Sequence, residues 1–224
     1  MKNKIHIVPI TAKDLKWSFD SNNPSFTVKS GSYSHSIRVD PFPCYSHDLK
    51  LVKKEVKEIK QKFLLPVPVY IYIAEFEELS RTNAHASNGI DYNGRQDKEG
   101  NYIDWIGTIV CSGKRIPIMP SMTRYLISHE YGHLVDHYLE QKLNLKAGEL
   151  RSVYAKLRNV TQPSYYGGPT WHKLIGEIFA NDFRVLVMKK ELEFWPHEVP
   201  RPEKNKKVKD WWKDRLREEG WIDV

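Results

Sequence analysis

A chain of 224 residues, 40% hydrophobic and 28% charged, predicts one soluble globular domain or one domain with an appendage. The net charge of +7 would suit an acidic partner, but the scattered lysines favour a solvated surface. Cys44 and Cys111 lie far apart, so neither a disulfide framework nor a cysteine-rich metal site is expected.

The N-terminal segment "MKNKIHIVPITAKDLKW" has a basic start but few apolar residues, and it does not have the pattern of a signal peptide. No stretch approaches the roughly 18 apolar residues that a membrane span requires. We therefore expect a cytoplasmic chain without a transmembrane segment, although a mature or otherwise exported chain would show the same features.

Residues 1–45 predict an N-terminal extension made of a strand and a hairpin. The strand is "KIHIVPI", and "SFTVKSGSYSHSIRVD" predicts a hairpin that turns at Ser30-Gly31. The segment "SHDLKLVKKEVKEIKQKFLLP" then predicts a helix capped by Ser46 and ended by Pro66. Its apolar stripe consists of Leu49, Val52, Val56, Ile59 and Phe63.

The middle of the chain predicts strands around a long loop. "VPVYIYIAE" is typical of a buried strand, and residues 80–104 predict a polar loop with three glycines. "DWIGTIVCSGKRIPIMP" predicts a strand pair around a turn at Ser112-Gly113. The expected result is an α+β chain with a small mixed sheet.

The C-terminal half is predicted to be helical. One helix is expected from Ser121 to Leu145, a second over 150–159, and a third from Thr170 to Pro196. The boundaries predict a main domain over 46–200 and a basic, aromatic tail over 201–224 that packs on the same domain.

The segment "SHEYGHLVDHYLE" carries the strongest chemical signal. His129 and His133 are four residues apart, so both imidazoles share one helix face and can bind one zinc ion. Glu130 points about 100° away around the helix, where a general base can reach an attacking water. The opposite face carries an apolar stripe made of Ile127, Tyr131, Leu134 and Tyr138.

A hydrolytic zinc site needs a third protein ligand, for which His137, His172, His197 and several acids are available downstream. Glu177 is the best candidate, because it lies among apolar residues of the last helix, where an unpaired carboxylate would be costly to bury. On a simpler interpretation, Glu177 lies on the wet side of an amphipathic helix.

Two motifs in this order resemble the catalytic domain of anthrax lethal factor and its relatives over about residues 100–195. The motifs are "HEYGHLVDHY" and, 44 residues after His133, "ExFAxxFR". This gluzincin-type metalloprotease family also includes the Pro-Pro endopeptidases. The resemblance implies a zincin-like fold, in which an edge strand and an active-site helix precede a ligand-bearing helix.

The resemblance also implies one zinc ion per chain, with His129, His133 and Glu177 as ligands and Glu130 as the base of a zinc endopeptidase. It further implies that an extended peptide substrate binds as a strand near Arg115 to Met119. A monomer is the default expectation, although the sequence does not determine the oligomeric state.

Three further positions follow from the resemblance. Asp136 matches a family aspartate and is expected to orient a ligand histidine. Tyr166 is expected to stabilise the oxyanion, with Tyr165 as the alternative. Asn181 stands where the family has a second glutamate, and its amide can still hydrogen-bond a ligand histidine.

Alternative functions remain open at this point. One is a non-catalytic zincin-like module that binds a protein partner. Another is a nucleic-acid-associated metalloprotease that uses the tail "RPEKNKKVKDWWKDRLRE", although four acids in that tail argue against nucleic acid as a partner. A third is a protease that cleaves a regulatory protein.

Overall fold

The computed structural model describes residues 4–18, 22–80, 83–90, 94–96, 98, 100, 103–146, 148–161, 173–190 and 195–218. Within these ranges the chain has α+β architecture, as predicted. The strands are β1 Ile5–Ile10, β2 Ser25–Ser30, β3 Tyr33–Pro43, β4 Val69–Ala74, β5 Phe76–Glu78, β6 Ala84–Ile90 and β7 Trp105–Cys111. The helices are α1 Leu49–Lys62, α2 Pro120–Lys142, α3 Glu149–Arg158, α4 Ile175–Leu186 and α5 Lys206–Glu218.

The central sheet has the strand order β1-β4-β7-β6. Strands β1, β4 and β7 are parallel, whereas β6 joins β7 in the antiparallel direction. The inner strands β4 and β7 are apolar and mostly buried, as expected for strands covered on both faces. Because β1 is one of the four strands, the predicted N-terminal extension contributes directly to this sheet.

A second sheet, β2-β3-β5, is antiparallel and shares an apolar core with the central sheet. Phe26, Val28 and Val39 from the second sheet are buried with Val110 of β7. The hydroxyl of Thr108 donates a hydrogen bond to the carbonyl of Lys29 (2.8 Å), which joins the two sheets.

Helix α2 lies at the centre of a larger core, formed by the central sheet and the helices. It packs against β6 and β7, against α1, and against α4. Its predicted apolar stripe is buried, including Ile127, Tyr131 and Leu134. The backbone N–H of Leu65 donates to the hydroxyl of Tyr131 (2.8 Å), which ties the end of α1 to the motif helix.

The tail packs its aromatic residues inward. Trp212 of α5 is 2% exposed and lies beside Phe179 with the ring centroids 4.8 Å apart. Its indole N–H donates to the hydroxyl of Tyr154 (2.9 Å). Trp211 contacts the Tyr154 ring edge-on at 5.0 Å. The tail thus completes the core beside α3 and α4.

Several predicted elements differ from the structure. The predicted loop over 80–104 contains strand β6. The predicted strand over Arg115 to Met119 does not form, because Pro117 has no N–H and Lys114 alone makes a bridge, with Tyr45. Helix α4 spans Ile175–Leu186, shorter than predicted, and Lys189 just beyond it adopts a left-handed conformation.

No helix among the described residues is long and apolar enough to cross a membrane.

Candidate metal centre

Helices α2 and α4 bring together the three side chains predicted as metal ligands. One donor atom from each of His129, His133 and Glu177 lies within 4.8 Å of the other two, so the group could hold a metal ion. His129 Nε2 is 2.9 Å from Glu177 Oε2, and His133 Nε2 is 3.5 Å from Glu177 Oε1. The two histidine rings meet at 89°, with their centroids 4.9 Å apart, so both can turn an Nε2 atom toward one point.

Gly132 allows α2 and α4 to approach closely enough for the three donor side chains to meet. A Cβ atom at Gly132 would lie 2.8 Å from the Cα atom and 2.9 Å from the carbonyl oxygen of Ala180. These are backbone atoms, which cannot move aside without moving α4. Gly132 lies directly before His133, so this contact sets the distance between the histidines and Glu177.

The charges around the three donors favour a cation. Burial alone would raise the pKa of Glu177, but the contacts with His129 and His133 hold that pKa well below its usual value. Burial alone would lower the pKa of His133, but Glu177, together with the negative charges of Glu130 and Asp136, raises it. The site is therefore rich in negative charge and attracts protons, or a metal ion in their place.

Glu130 lies beside this group and not within it. Its side chain is 6% exposed, and neither a hydrogen bond nor an ion pair joins its carboxylate to the described part of the chain. Burial raises the pKa of the Cys111 thiol, and the charge of Glu130 raises it further. The charge of Glu130 thus acts on Cys111 of β7 and on His133, and a buried carboxylate without a partner in the described residues is a feature of functional sites.

The side of the His129 ring that faces away from Glu177 contacts two polar side chains. His129 Nδ1 lies 3.1 Å from Asn181 Oδ1, and the hydroxyl of Tyr125 donates to the same oxygen at 3.1 Å. The Tyr125 ring stacks on the His129 ring with centroids 5.2 Å apart. On the far side of the amide, Asn181 Nδ2 lies 2.8 Å from His197 Nε2.

Asp136 makes a different contact from the one expected. Its carboxylate forms a 2.6 Å ion pair with Arg151 of α3, and no hydrogen bond joins it to His129 or His133 within the described residues. Its influence on the histidines is electrostatic, since its charge helps to raise the pKa of His133. Burial lowers the pKa of His137 to about 4, and that ring is not part of the donor group.

The other predicted site residues lie outside the described residues or away from the donor group. Tyr165 and Tyr166, the proposed oxyanion donors, and the candidate ligand His172 lie outside the described residues. Tyr125 was missed from sequence, although its position four residues before His129 places it on the same helix face. His197 was considered as a metal ligand, but the structure places it behind Asn181.

A scan against protein-family models, a search of curated proteins and a search of solved structures each found no match to this chain.

Proposed function

We propose that the protein is a zinc-dependent endopeptidase of the gluzincin type, with a zincin-like fold. The observation that carries the proposal is the convergence of His129, His133 and Glu177 from two helices. The resemblance of the two motifs to the lethal factor family supports the same conclusion.

The donor set fits zinc. Two imidazole nitrogens and one carboxylate oxygen are ligands that zinc commonly takes in hydrolytic sites, where a fourth position stays open. A bound zinc ion would lower the pKa of a coordinated water toward neutrality and polarise a carbonyl oxygen. His129, His133 and Glu177 would hold the ion.

Glu130 is the proposed general base. Its carboxylate accepts a proton from water as the water attacks the scissile carbonyl, and then delivers the proton to the leaving amine. Burial beside His133, without a partner in the described residues, leaves the carboxylate available for this transfer. Tyr166, or Tyr165 in its place, is the proposed donor to the oxyanion, and losing such a donor costs on the order of 10²–10³ in rate.

The substrate-binding strand is proposed at β6 instead of at Arg115 to Met119. Strand β6 forms one edge of the central sheet, and no described strand pairs with its outer side. Helix α2, which carries both histidines, packs against this strand. An extended peptide that added to the edge by main-chain hydrogen bonds would therefore lie beside the donor group.

A non-catalytic module that binds a protein partner is the second candidate, because it would keep the same fold and donor group. A protease that cleaves a regulatory protein would use the same site on a narrower substrate range. The nucleic-acid hypothesis relied on Trp211 and Trp212 as aromatic contacts, but these rings pack on Tyr154 and Phe179.

Cleavage of a peptide library by the wild type and by Glu130→Gln tests the proposal. The variant should bind one zinc per chain like the wild type but lose cleavage. Glu140→Gln is a matched control, because it makes the same change on the same helix away from the donor group, and it should stay active. Cleavage by Glu130→Gln at the wild-type rate would remove Glu130 as the base. A zinc-binding wild type that cleaves nothing in the library would favour the non-catalytic module.

A further inference from the structure

The hydrogen bonds behind His129 have a fixed direction. The Nε2 atom of His129 faces Glu177 and must be free of a proton to bind a metal ion. A neutral imidazole then carries its proton on Nδ1, which donates to Asn181 Oδ1 at 3.1 Å. Because the Tyr125 hydroxyl also donates to this oxygen, the Asn181 carbonyl accepts two hydrogen bonds.

The amide nitrogen of Asn181 therefore needs an acceptor of its own. Asn181 has no exposed surface, and a buried N–H group without a partner costs about 1–3 kcal/mol. Its Nδ2 atom lies 2.8 Å from His197 Nε2, and His197 is 6% exposed. Rotating the amide by 180° would point its NH₂ group at the Nδ1–H donor of His129 and its oxygen at the ring nitrogen of His197.

We infer that His197 is a positioning residue of the metal site, whose Nε2 atom accepts a hydrogen bond from Asn181 and so holds the amide oxygen on His129. This inference rests on the proposed function, in which His129 binds the metal through Nε2. His197 lies outside the donor group and acts on His129 through Asn181.

The segment that carries His197 is itself anchored. The Trp195 ring lies edge-on to His197 at 4.9 Å, and its indole N–H donates to the carbonyl of Val199 (2.6 Å). Arg158 of α3 lies 6.0 Å from the centre of the Trp195 ring and donates to the carbonyl of Pro200 (2.8 Å). The acceptor is thus held in place by α3, independently of the metal ligands.

The chemistry of an amide explains why this partner is needed. The resembled family has a glutamate at the position of Asn181, and an ionised carboxylate has no N–H group to satisfy. An asparagine supplies the same acceptor to His129 but adds a donor on its other side. His197 provides the acceptor that this donor requires.

Zinc affinity, measured by competition with a chromophoric chelator, tests the inference. His197→Leu removes the acceptor and should weaken zinc binding about tenfold, at the low end of the 10–100-fold range for residues that support metal ligands. His197→Gln can still accept through its side-chain oxygen and should stay within about threefold of the wild type. In an Asn181→Ala background, His197→Leu should cause no further loss, because the residue through which it acts is gone.

His47→Leu is the matched control. His47 is also buried, its Nδ1 atom is 2.9 Å from the Thr123 hydroxyl, and it lies outside the donor group. It should lower thermal stability and leave zinc affinity unchanged. The inference is overturned if His197→Leu also leaves zinc affinity unchanged, or if its effect adds in full to that of Asn181→Ala.

Nitrogen-15 NMR of the imidazoles gives a second test on the wild-type protein, which decides the matter if His197→Leu fails to fold. His197 should carry its proton on Nδ1, both with and without zinc, and a proton on Nε2 would contradict the inference. A wild type that binds no zinc would refute the proposed function instead. Zinc binding that is lost in Glu177→Ala but intact in His197→Leu would refute the role of His197 alone.

Discussion

Asn181 and Asp182 are neighbours on α4, and neither has exposed surface, yet they serve two different regions. Asn181 contacts α2 through His129 and Tyr125. Asp182 contacts α3, where it forms a 3.1 Å ion pair with Arg158 and accepts a hydrogen bond from Tyr154.

The difference between the two regions lies in how charge is balanced. On the Asp182 side, a buried carboxylate meets a buried guanidinium, although burial still raises the pKa of Asp182 to about 7. On the Asn181 side, His129 meets two uncharged groups, the Asn181 amide and the Tyr125 hydroxyl. The Glu177 carboxylate contacts both histidines, and the charge of Glu130 acts on His133. Neither carboxylate forms an ion pair with a Lys or Arg among the described residues. The first arrangement stabilises the fold, and the second attracts a cation.

Asp182→Ala should have the largest effect on stability. It would leave the Arg158 guanidinium buried without a counter-charge, and breaking a buried pair in this way costs about 3–5 kcal/mol. Urea unfolding measures the loss, while zinc affinity should fall by less than the tenfold expected of His197→Leu, because Arg158 keeps its hydrogen bond to the carbonyl of Pro200. A large loss of zinc affinity with little loss of stability would show that the two regions are not separate.

Removal of zinc should destabilise the protein through the other region, which contains His129, His133 and Glu177. At a free zinc concentration about 100 times the dissociation constant, zinc binding stabilises the folded state by about 2.7 kcal/mol. The midpoint of thermal unfolding should therefore fall when a chelator is added to the wild type. Glu177→Ala should show no such response, and an equal response in this variant would place the zinc elsewhere.

Gly132→Ala should lower both the stability of the protein and its affinity for zinc. The new methyl group would meet the backbone of Ala180, and overpacking of this kind costs about 1–3 kcal/mol. Because α4 must move away from α2, zinc affinity should fall at least tenfold. Gly176→Ala is the matched control, since the three atoms nearest to its Cβ atom would belong to the Arg151 side chain, at 3.5 Å or more. That variant should keep zinc affinity.

Tyr154→Phe should have the smallest effect on zinc binding. Its hydroxyl donates to Asp182 and accepts from the Trp212 indole, so its loss leaves a buried N–H group without this acceptor and should cost about 1–3 kcal/mol. Urea unfolding should show this change without any change in zinc affinity. A change in zinc affinity would mean that the aromatic core around α5 reaches the metal centre.

The parts of the fold that depend on local pattern could be predicted from sequence. The spacing of His129 and His133, with the apolar stripe opposite, placed both rings on one face of α2. Glu177 was found because a carboxylate among apolar residues needs a cation. The predicted cap of α1 was wrong by two residues. The side chain of Asp48, and not that of Ser46, accepts a hydrogen bond from the backbone N–H of Lys50.

Strand β6 could not be predicted, because its formation depends on distant parts of the chain. Its sequence "AHASNGI" has few of the β-branched or aromatic residues that favour strands. Pairing with β7 forms the strand, and a Cβ atom at Gly89 would lie 2.2 Å from the carbonyl oxygen of Ser30. The role of His197 was hidden for the same reason, since only the folded chain brings it to Asn181.

X-ray absorption at the zinc edge of the zinc-loaded wild type tests the central claim most directly. We expect two imidazole nitrogens at about 2.0–2.1 Å and a carboxylate oxygen, with the oxygen contribution changed and zinc largely lost in Glu177→Ala. Sulfur ligation, a single imidazole, or a protein that elutes without zinc after loading would contradict a metal centre built from His129, His133 and Glu177.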